Sequence, residues 1–117
     1  MRPPHPLLSA RTRAIHAEIA RLDLLCSGTL LVRTKVCGKP TCRCATDPAA
    51  AHGPYYEWRR REAGGLRQRI VRPDEAGLIA HGQANYQRLL TLLADWELES
   101  LTAILGAERL TGRRAPR

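Results

Sequence analysis

The 117-residue chain contains no phenylalanine, one methionine, two tryptophans and three tyrosines, so the large side chains of a thick core are scarce. Most of its apolar residues are Leu, Ile, Val and Ala, which favour packing between helices over a wide β-sandwich. At this length we expect one domain with short extensions. A core this small usually depends on a further stabilising element, such as a bound metal ion.

Long apolar runs are also missing. No segment approaches the ~20 apolar residues of a membrane-spanning helix, and the start MRPPHP is not followed by the apolar stretch of a signal peptide. We therefore expect a cytoplasmic protein, free or associated with the nucleoid, that does not bind a membrane. In a reducing compartment, clustered cysteines bind metals more often than they form disulfides.

Recognisable catalytic patterns are absent as well. No Ser-His-Asp arrangement, phosphate-binding loop or carboxylate pair stands out. Asp95, Glu97 and Glu99 fall on different faces of one predicted helix, which is typical of solvated side chains. We therefore expect the chain not to be an enzyme and to have no small-molecule substrate.

Positive charge is concentrated in the middle of the chain, whose formal net charge is +8. Residues 28–73 carry ten basic and three acidic side chains, whereas residues 1–27 carry four and two and residues 74–117 carry five and six. A concentrated basic block is typical of proteins that bind a polyanion. A solvated basic surface with no partner is the alternative.

Helical spacing marks the segment 9–27, after an N-terminus (1–8) that we expect to be flexible. Side chains recur at alternating steps of four and three, which predicts a helix from about Ser9, a suitable N-cap, to Leu25. The stripe comprises Leu8, Thr12, Ile15, Ile19, Leu22 and Cys26. Because the stripe is narrow, this helix should pack against one partner, either the second helix or its own copy in a dimer.

A longer helix is predicted over residues 74–106. Pro73 and Asp74 are typical of a helix start, and apolar residues then recur at helical spacing as far as Ile104. Gly77 and Gly82 weaken its first turns and are expected where the helix approaches the sheet. Residues 107–117 form a basic tail, whose last part, including Arg113, Arg114 and Arg117, is expected to be disordered and to add phosphate contacts.

Between the helices the period changes to two, which predicts three antiparallel strands. The first alternates from Leu30 to Val36, the second runs from Pro54 to Arg61, and the third from Leu66 to Val71. Glycines at 64 and 65 permit a tight hairpin between the last two.

The charged positions of the three strands should share one face if the apolar positions share the other. Six cations would then lie on that face, opposed by Glu57 alone: Arg33, Lys35, Arg59, Arg61, Arg67 and Arg69. Like charges repel one another across a small sheet, so we expect phosphates as their counter-charge. A solvated face that protects the sheet from aggregation is the alternative.

Three of the four cysteines, Cys37, Cys42 and Cys44, lie within eight residues, and His52 follows them. Thiolate and imidazole are ligands that tetrahedral Zn²⁺ prefers, and three sulfurs with one nitrogen leave no position for a catalytic water. We therefore predict one structural Zn²⁺. Free thiols and redox-active thiols remain alternatives, whereas a disulfide is disfavoured because the closely spaced pair cannot bridge comfortably.

The residues around this cluster divide by role. Lys39 and Arg43 lie between the ligands, where they stabilise thiolates, and we also count them among the phosphate-binding cations. Cys26 continues the helical stripe and is expected to be a buried small hydrophobe. His5, His16 and His81 fit the site less well than His52, since they lie in a proline-rich segment or on predicted helices.

These elements predict an α+β fold: an N-terminal helix, a three-stranded antiparallel sheet with a zinc-binding loop, and a long C-terminal helix. Residues 28–73 would form a zinc-stapled, basic β-ribbon within a single domain. The order of elements places the metal loop between the first two strands.

The strings CGKPTCRC (Cys37–Cys44) and HGPYY (His52–Tyr56) resemble an uncharacterised bacterial and archaeal family of small proteins, with the pattern GSL…CGKPxCRC…HGPYY and a long helix after it. The resemblance covers about residues 10–100 and implies that the three clustered cysteines and His52 are shared ligands. It also implies a link to mobile elements, because some members lie beside transposase or integrase genes. Thr29 replaces the usual Ser, and the alanine-rich loop is longer. A looser architectural likeness is to the arm-binding domains of tyrosine recombinases.

Two functional hypotheses follow from these observations. The first is a nucleic-acid-binding module, for double-stranded DNA, whose β-ribbon lies against phosphates or in the major groove; binding of a single strand, with Tyr55 stacking on a base, remains open. The second is an adaptor in which the helices form a coiled coil for homodimerisation or for docking a protein partner, capped by the zinc ribbon. The partner-facing residues would be Leu89, Leu90, Leu93 and Trp96.

Overall fold

The computed structural model describes residues 3–112. Its helices and strands, in chain order, are α1 (Ala10–Arg21), β1 (Thr29–Lys35), β2 (His52–Glu62), β3 (Gly65–Val71), α2 (Pro73–Leu105) and α3 (Ala107–Leu110). Two short 3-10 turns, Arg43–Ala45 and Pro48–Ala50, lie between β1 and β2. The predicted α+β class is confirmed. Of the predicted basic tail, Arg113, Arg114 and Arg117 lie outside the described residues.

The described residues form two compact units. The sheet unit is Leu24–Ala84, and the helical unit comprises the described residues up to Asp23 and from Asn85 onward. The sheet unit therefore contains β1, β2, β3 and the first turns of α2. Among the described helices, none combines the length and the apolar content needed to cross a membrane.

In the helical unit, α1 begins as predicted. Ser9 is its N-cap, and the Ser9 hydroxyl accepts a hydrogen bond from the backbone N–H of Thr12 at 3.0 Å. The helix ends at Arg21, earlier than the predicted Leu25, because Leu22 adopts extended backbone angles and its N–H bonds back to the carbonyl of Ile19. The Ser27-Gly28 pair therefore leads into β1 instead of ending the helix.

The core of the helical unit lies between α1 and the C-terminal part of α2. Ile15 and Leu92 are almost completely buried, and the ring of His16 meets Trp96 edge-on with centroids 4.4 Å apart. Of the two partners expected for the narrow stripe of α1, the second helix is therefore the one observed.

The three strands form an antiparallel sheet in the order β1-β2-β3. Leu30 of β1 lies opposite Trp58 of β2, and the β1–β2 register shifts between Arg33 and Lys35. Between β2 and β3, Glu62 pairs with Gly65, so the hairpin turn consists of Ala63 and Gly64 alone.

The predicted sorting of side chains onto one charged and one apolar face is wrong for β3. Because the turn has two residues, Trp58 pairs with Arg69 and Glu57 pairs with Ile70, and directly paired residues share a face. A one-residue difference in register moves every side chain of a strand to the other face. The arginines therefore occupy both faces of the sheet.

Each face is mixed in character. The Trp58 face carries Leu30, Val32, Tyr56, Trp58, Arg60, Glu62, Arg67, Arg69 and Val71. The Glu57 face carries Thr29, Leu31, Arg33, Tyr55, Glu57, Arg59, Arg61, Leu66, Gln68 and Ile70. Val32, Leu66 and Ile70 are exposed. Neither face is a dry apolar layer, so apolar burial contributes little to holding the sheet unit together.

The two glycines near the start of α2 differ. A Cβ at Gly82 would lie 2.6 Å from the Cys26 sulfur and 2.9 Å from the Cys26 backbone nitrogen, whereas a Cβ at Gly77 would meet nothing within 4 Å. The predicted close approach is therefore found at Gly82, toward the segment before β1, and was wrong for Gly77. Cys26, predicted on the stripe of the first helix, lies beyond the end of α1.

Candidate metal centre

The predicted ligands Cys37, Cys42, Cys44 and His52 come together in the sheet unit. Their ligand atoms all lie within 4.8 Å of one another. The sulfurs of Cys37 and Cys44 are 3.5 Å apart, and the Cys42 sulfur is 3.3 Å from His52 Nε2. A tetrahedral zinc ion with Zn–S bonds of about 2.3 Å holds its sulfurs about 3.8 Å apart. The four side chains thus fit around one such ion.

The first three ligands are placed by a tight turn after β1. Cys37 follows the strand by two residues, and Gly38 turns the chain with a φ of +82°. The backbone N–H of Cys42 then bonds to the carbonyl of Lys39 at 3.1 Å, and Cys42 caps the 3-10 turn that contains Cys44. Local turns therefore bring the thiols together without help from distant residues.

The fourth ligand, His52, is the first residue of β2 and pairs with Lys35. The loop before it, expected to be unstructured, contains both 3-10 turns, and Asp47 caps the second by accepting from the N–H of Ala49 at 3.0 Å. After His52, Gly53 has a φ of +129°, and a Cβ there would lie 2.9 Å from the carbonyl oxygen of Arg33. Glycine at this position lets β2 approach β1 closely at the site.

The thiols differ in their surroundings. Cys44 is buried and its sulfur accepts the backbone N–H of Cys37 at 3.4 Å, whereas Cys37 is exposed. The backbone N–H of Cys44, followed by the hydrogen bonds from Cys44, His52 and Cys37, lowers the pKa of Cys42 to about 6. The backbone N–H of Cys37 acts to lower the pKa of Cys44, but burial and the neighbouring thiols outweigh it and raise that pKa. Of Cys42 and Cys44, Cys42 is therefore the thiol that becomes an anionic ligand more readily.

The chemistry available to this cluster is that of a closed structural site. Three thiolates and one imidazole fill a tetrahedral shell. A metal ion bound by these four side chains would cross-link the end of β1 to the start of β2. The four cysteines are unbridged. Donor type and spacing therefore suit Zn²⁺.

Several of the predicted phosphate-binding residues lie around a buried carboxylate. Glu57, only 7% exposed, bonds to Arg59 at 2.6 Å and to Arg33 at 3.3 Å. The hydrogen bond from Arg59 is the largest of the interactions that lower the pKa of Glu57. The Lys35 ammonium lies 5.8 Å from the centre of the Tyr55 ring. Arg33 and Arg59 therefore lie on the Glu57 face, and both pair with its carboxylate.

The remaining predicted cations are spread more widely. Arg43 pairs with Asp47 at 3.4 Å beside the cluster, and Lys39 is exposed in the same loop. Arg61 lies on the Glu57 face, but Arg67 and Arg69 lie on the Trp58 face. The single charged face predicted for these cations is therefore not formed, and their role in binding phosphate stays a prediction.

Arg60 is not among the cations predicted from the sequence, although three consecutive arginines in a strand must place the middle one on the opposite face. Its guanidinium lies 5.6 Å from the Trp58 ring centre and pairs with Glu62. Glu62 also bonds to Arg67 at 2.9 Å. Glu62 therefore shares its charge between the two strands of the hairpin.

Residues 6–80 match the model of a domain of unknown function, DUF6788. The chain belongs to the DUF6788 family. The match includes the whole metal cluster and the complete sheet, so the DUF6788 domain contains all the candidate site residues described above. No curated protein and no solved structure matches the chain. The resemblance to an uncharacterised family is confirmed.

Proposed function

We propose that this DUF6788 protein is a non-enzymatic accessory module that binds nucleic acid, with double-stranded DNA as its partner and one structural Zn²⁺ in the cysteine–histidine cluster. The observation that carries the proposal is the unbalanced charge of residues 28–73, with ten cations and three carboxylates. An association with mobile elements belongs to the same proposal and rests on the family resemblance alone.

The contacts of the carboxylates strengthen this argument. Each is already engaged: Glu57 with two arginines, Glu62 with two, and Asp47 with one. Within residues 28–73, four further cations have no described acidic side chain within salt-bridge distance: Lys35, Lys39, Arg61 and Arg69. These groups are available to phosphates without breaking an ion pair.

Salt-dependent binding tests this proposal. Affinity of the zinc-loaded protein for a labelled duplex is measured by fluorescence anisotropy over a range of salt concentrations. If four to six phosphates are contacted, log affinity should fall against log salt with a slope of about −3.5 to −5.5. The absence of duplex and single-strand binding at low salt, or binding that does not change with salt, would contradict the proposal.

A specific observation favours the adaptor as a second candidate. Leu90 and Leu93 are 44% and 43% exposed on α2, and exposed apolar side chains on one helix are typical of a protein-binding surface. The other two residues predicted to face a partner are half-buried, and Trp96 already packs against His16. A dimer or a docked helix would therefore use Leu90 and Leu93.

Light scattering separates this candidate from a monomeric module. The adaptor predicts a mass of twice 13.0 kDa for the homodimer, falling to the monomer mass in the Leu90→Glu/Leu93→Glu variant. Leu98→Glu is the control for an added carboxylate, since Leu98 is 54% exposed on the same helix and lies about 140° around the helix from Leu93. A monomer at all concentrations would leave only a heterologous partner for this surface.

A further inference from the structure

The β2–β3 hairpin extends beyond the edge of β1. The first residue of β1, Thr29, pairs with Arg59, whereas β2 continues to Glu62 and pairs with β3 as far as Gly65. Arg60–Glu62 and Gly65–Arg67 therefore form a two-stranded ribbon, closed by the Ala63-Gly64 turn. We call this segment, with Arg59 and Arg69 at its base, the arginine ribbon.

The arginine ribbon is cationic on both faces. Arg60 lies directly opposite Arg67 on the Trp58 face, and Arg61 lies on the Glu57 face. Arg59 and Arg69 extend the two faces at its base, on the Glu57 face and the Trp58 face respectively. Glu62 is its one carboxylate. A flat polyanion could contact one of these faces, whereas a groove presents phosphates to both.

The end of the ribbon is narrow and clear of the rest of the sheet unit. A Cβ added to Gly64 or Gly65 would meet nothing within 4 Å, and Leu66 beside them is exposed. Gly65 has a φ of +125°, which keeps the turn tight. No bulky side chain therefore obstructs entry of the tip into a groove.

The composition of the ribbon distinguishes a duplex from a single strand. Residues 59–69 include five arginines and no aromatic residue. Proteins that hold single strands combine basic grooves with aromatic rings on which bases stack. Arginine without aromatic rings suits contacts with phosphates and with the base edges of a paired helix.

We propose that the arginine ribbon enters the major groove of duplex DNA tip first, so that the arginines of its two faces meet the phosphates of the two groove walls. This inference rests on the proposed nucleic-acid function and names the element that carries it. The major groove is about 12 Å wide and admits a two-stranded ribbon, whose thickness with side chains is about 10 Å.

The test compares two double variants that remove the same charge. Arg61→Ala/Arg69→Ala takes one arginine from each face, whereas Arg13→Ala/Arg21→Ala takes two exposed arginines from α1. In anisotropy titrations with a 20-base-pair duplex, the ribbon variant should bind at least tenfold more weakly than wild type and lower the salt slope by about 1.8, since each lost phosphate contact removes about 0.9. The α1 variant should stay within threefold of wild type.

A third variant is expected to change affinity in the opposite direction. Glu62→Gln removes the carboxylate that Arg60 and Arg67 share, so both guanidiniums become available to phosphate. Duplex affinity should rise several-fold. Bound zinc and circular dichroism equal to wild type show that each variant is folded.

The outcomes separate the two proposals. Equal losses in the ribbon and α1 variants, with wild type binding the duplex, would overturn the ribbon but leave the nucleic-acid function standing. Tighter binding of the single strand than of the duplex would overturn groove entry in the same way. Failure of wild type to bind either form would overturn both.

Discussion

The sheet unit and the helical unit of this chain are stabilised by different means. In the helical unit, apolar side chains such as Ile15 and Leu92 are buried between two helices, and the described residues carry five cations and six carboxylates. In the sheet unit, Leu24–Ala84, the sheet has no dry face and the residues carry ten cations and five carboxylates. We propose that a metal ion held by the four ligand side chains takes the place of apolar burial there.

This difference in stabilisation between the two units explains how so small a sheet can carry a strongly basic surface. A sheet that depended on an apolar layer would have to give one face to it, whereas a sheet fixed at the metal loop can carry arginines on both faces. Where charges do come close, Glu57 and Glu62 each bridge two arginines. Removal of the metal or of these carboxylates should therefore destabilise the sheet unit and leave the helical unit unchanged.

Removing the metal should have the largest effect. Replacement of Cys42 and Cys44 by Ser should abolish zinc binding, which for structural zinc sites contributes an apparent free energy of about 10–16 kcal/mol. Elemental analysis should find one zinc per wild-type chain and none in the variant. Hydrogen exchange should show lost protection in β1, β2 and β3 but retained protection in α1. If the wild-type sheet unit stays folded in a strong chelator, a bound metal is not what stabilises it.

A cavity in the helical unit should have the converse effect. Leu92→Ala removes one of the two most buried side chains and should cost about 2–5 kcal/mol of unfolding free energy. Denaturant unfolding measures the loss, and zinc stoichiometry should remain that of wild type. Loss of zinc in this variant would show that the two units are not stabilised independently.

The glycine pair in α2 should give smaller effects of opposite sign. Gly82→Ala places a methyl group 2.9 Å from the Cys26 backbone nitrogen, and such overpacking should cost about 1–3 kcal/mol. Gly77→Ala meets nothing and should gain about 0.5–1 kcal/mol from helix propensity. Thermal unfolding of the two variants, measured side by side, checks the order. Equal shifts would contradict the close packing at Gly82.

The buried carboxylate should give the smallest effect at neutral pH and a distinctive pH dependence. Since Arg59 and Arg33 lower the pKa of Glu57 from 4.5, its contribution to stability is complete above that value and disappears as pH falls below it. Glu57→Gln should therefore unfold at a lower temperature than wild type near pH 6. The gap should narrow toward about pH 3, because wild type alone loses this carboxylate. A gap that does not change with pH would indicate that packing, and not charge, is lost.

Patterns confined to a few neighbouring residues were predicted well from the sequence. The spacing of the three cysteines and His52 identified the side chains that converge, because local turns place the thiols and a short loop leads from them to His52. Ser9 was placed correctly as the N-cap because capping depends on the next three residues. The start of α2 at Pro73 follows from equally local signals.

Features set by pairing between distant residues were not predictable in the same way. The sorting of arginines onto faces depends on whether the hairpin turn has an even or an odd number of residues, and the string Glu62-Ala63-Gly64-Gly65 permits either. The burial of Glu57 depends on arginines 24 residues before it and two residues after it. α1 ends at Arg21 because the chain turns there toward β1. The spacing of apolar residues along a helix does not indicate where such a turn occurs.

The length of the turn at Ala63 and Gly64 determines which face of the sheet each side chain of β3 occupies. One added residue there would transfer Arg67 and Arg69 to the side of Arg59 and Arg61 and bring Leu66 and Ile70 over to join Trp58. The arginine ribbon, now cationic on both faces, would then carry most of its arginines on one face and apolar side chains on the other, with the same strands. Length variation at this single bend could thus redirect which shape of polyanion the domain accepts, with every ligand and every arginine retained.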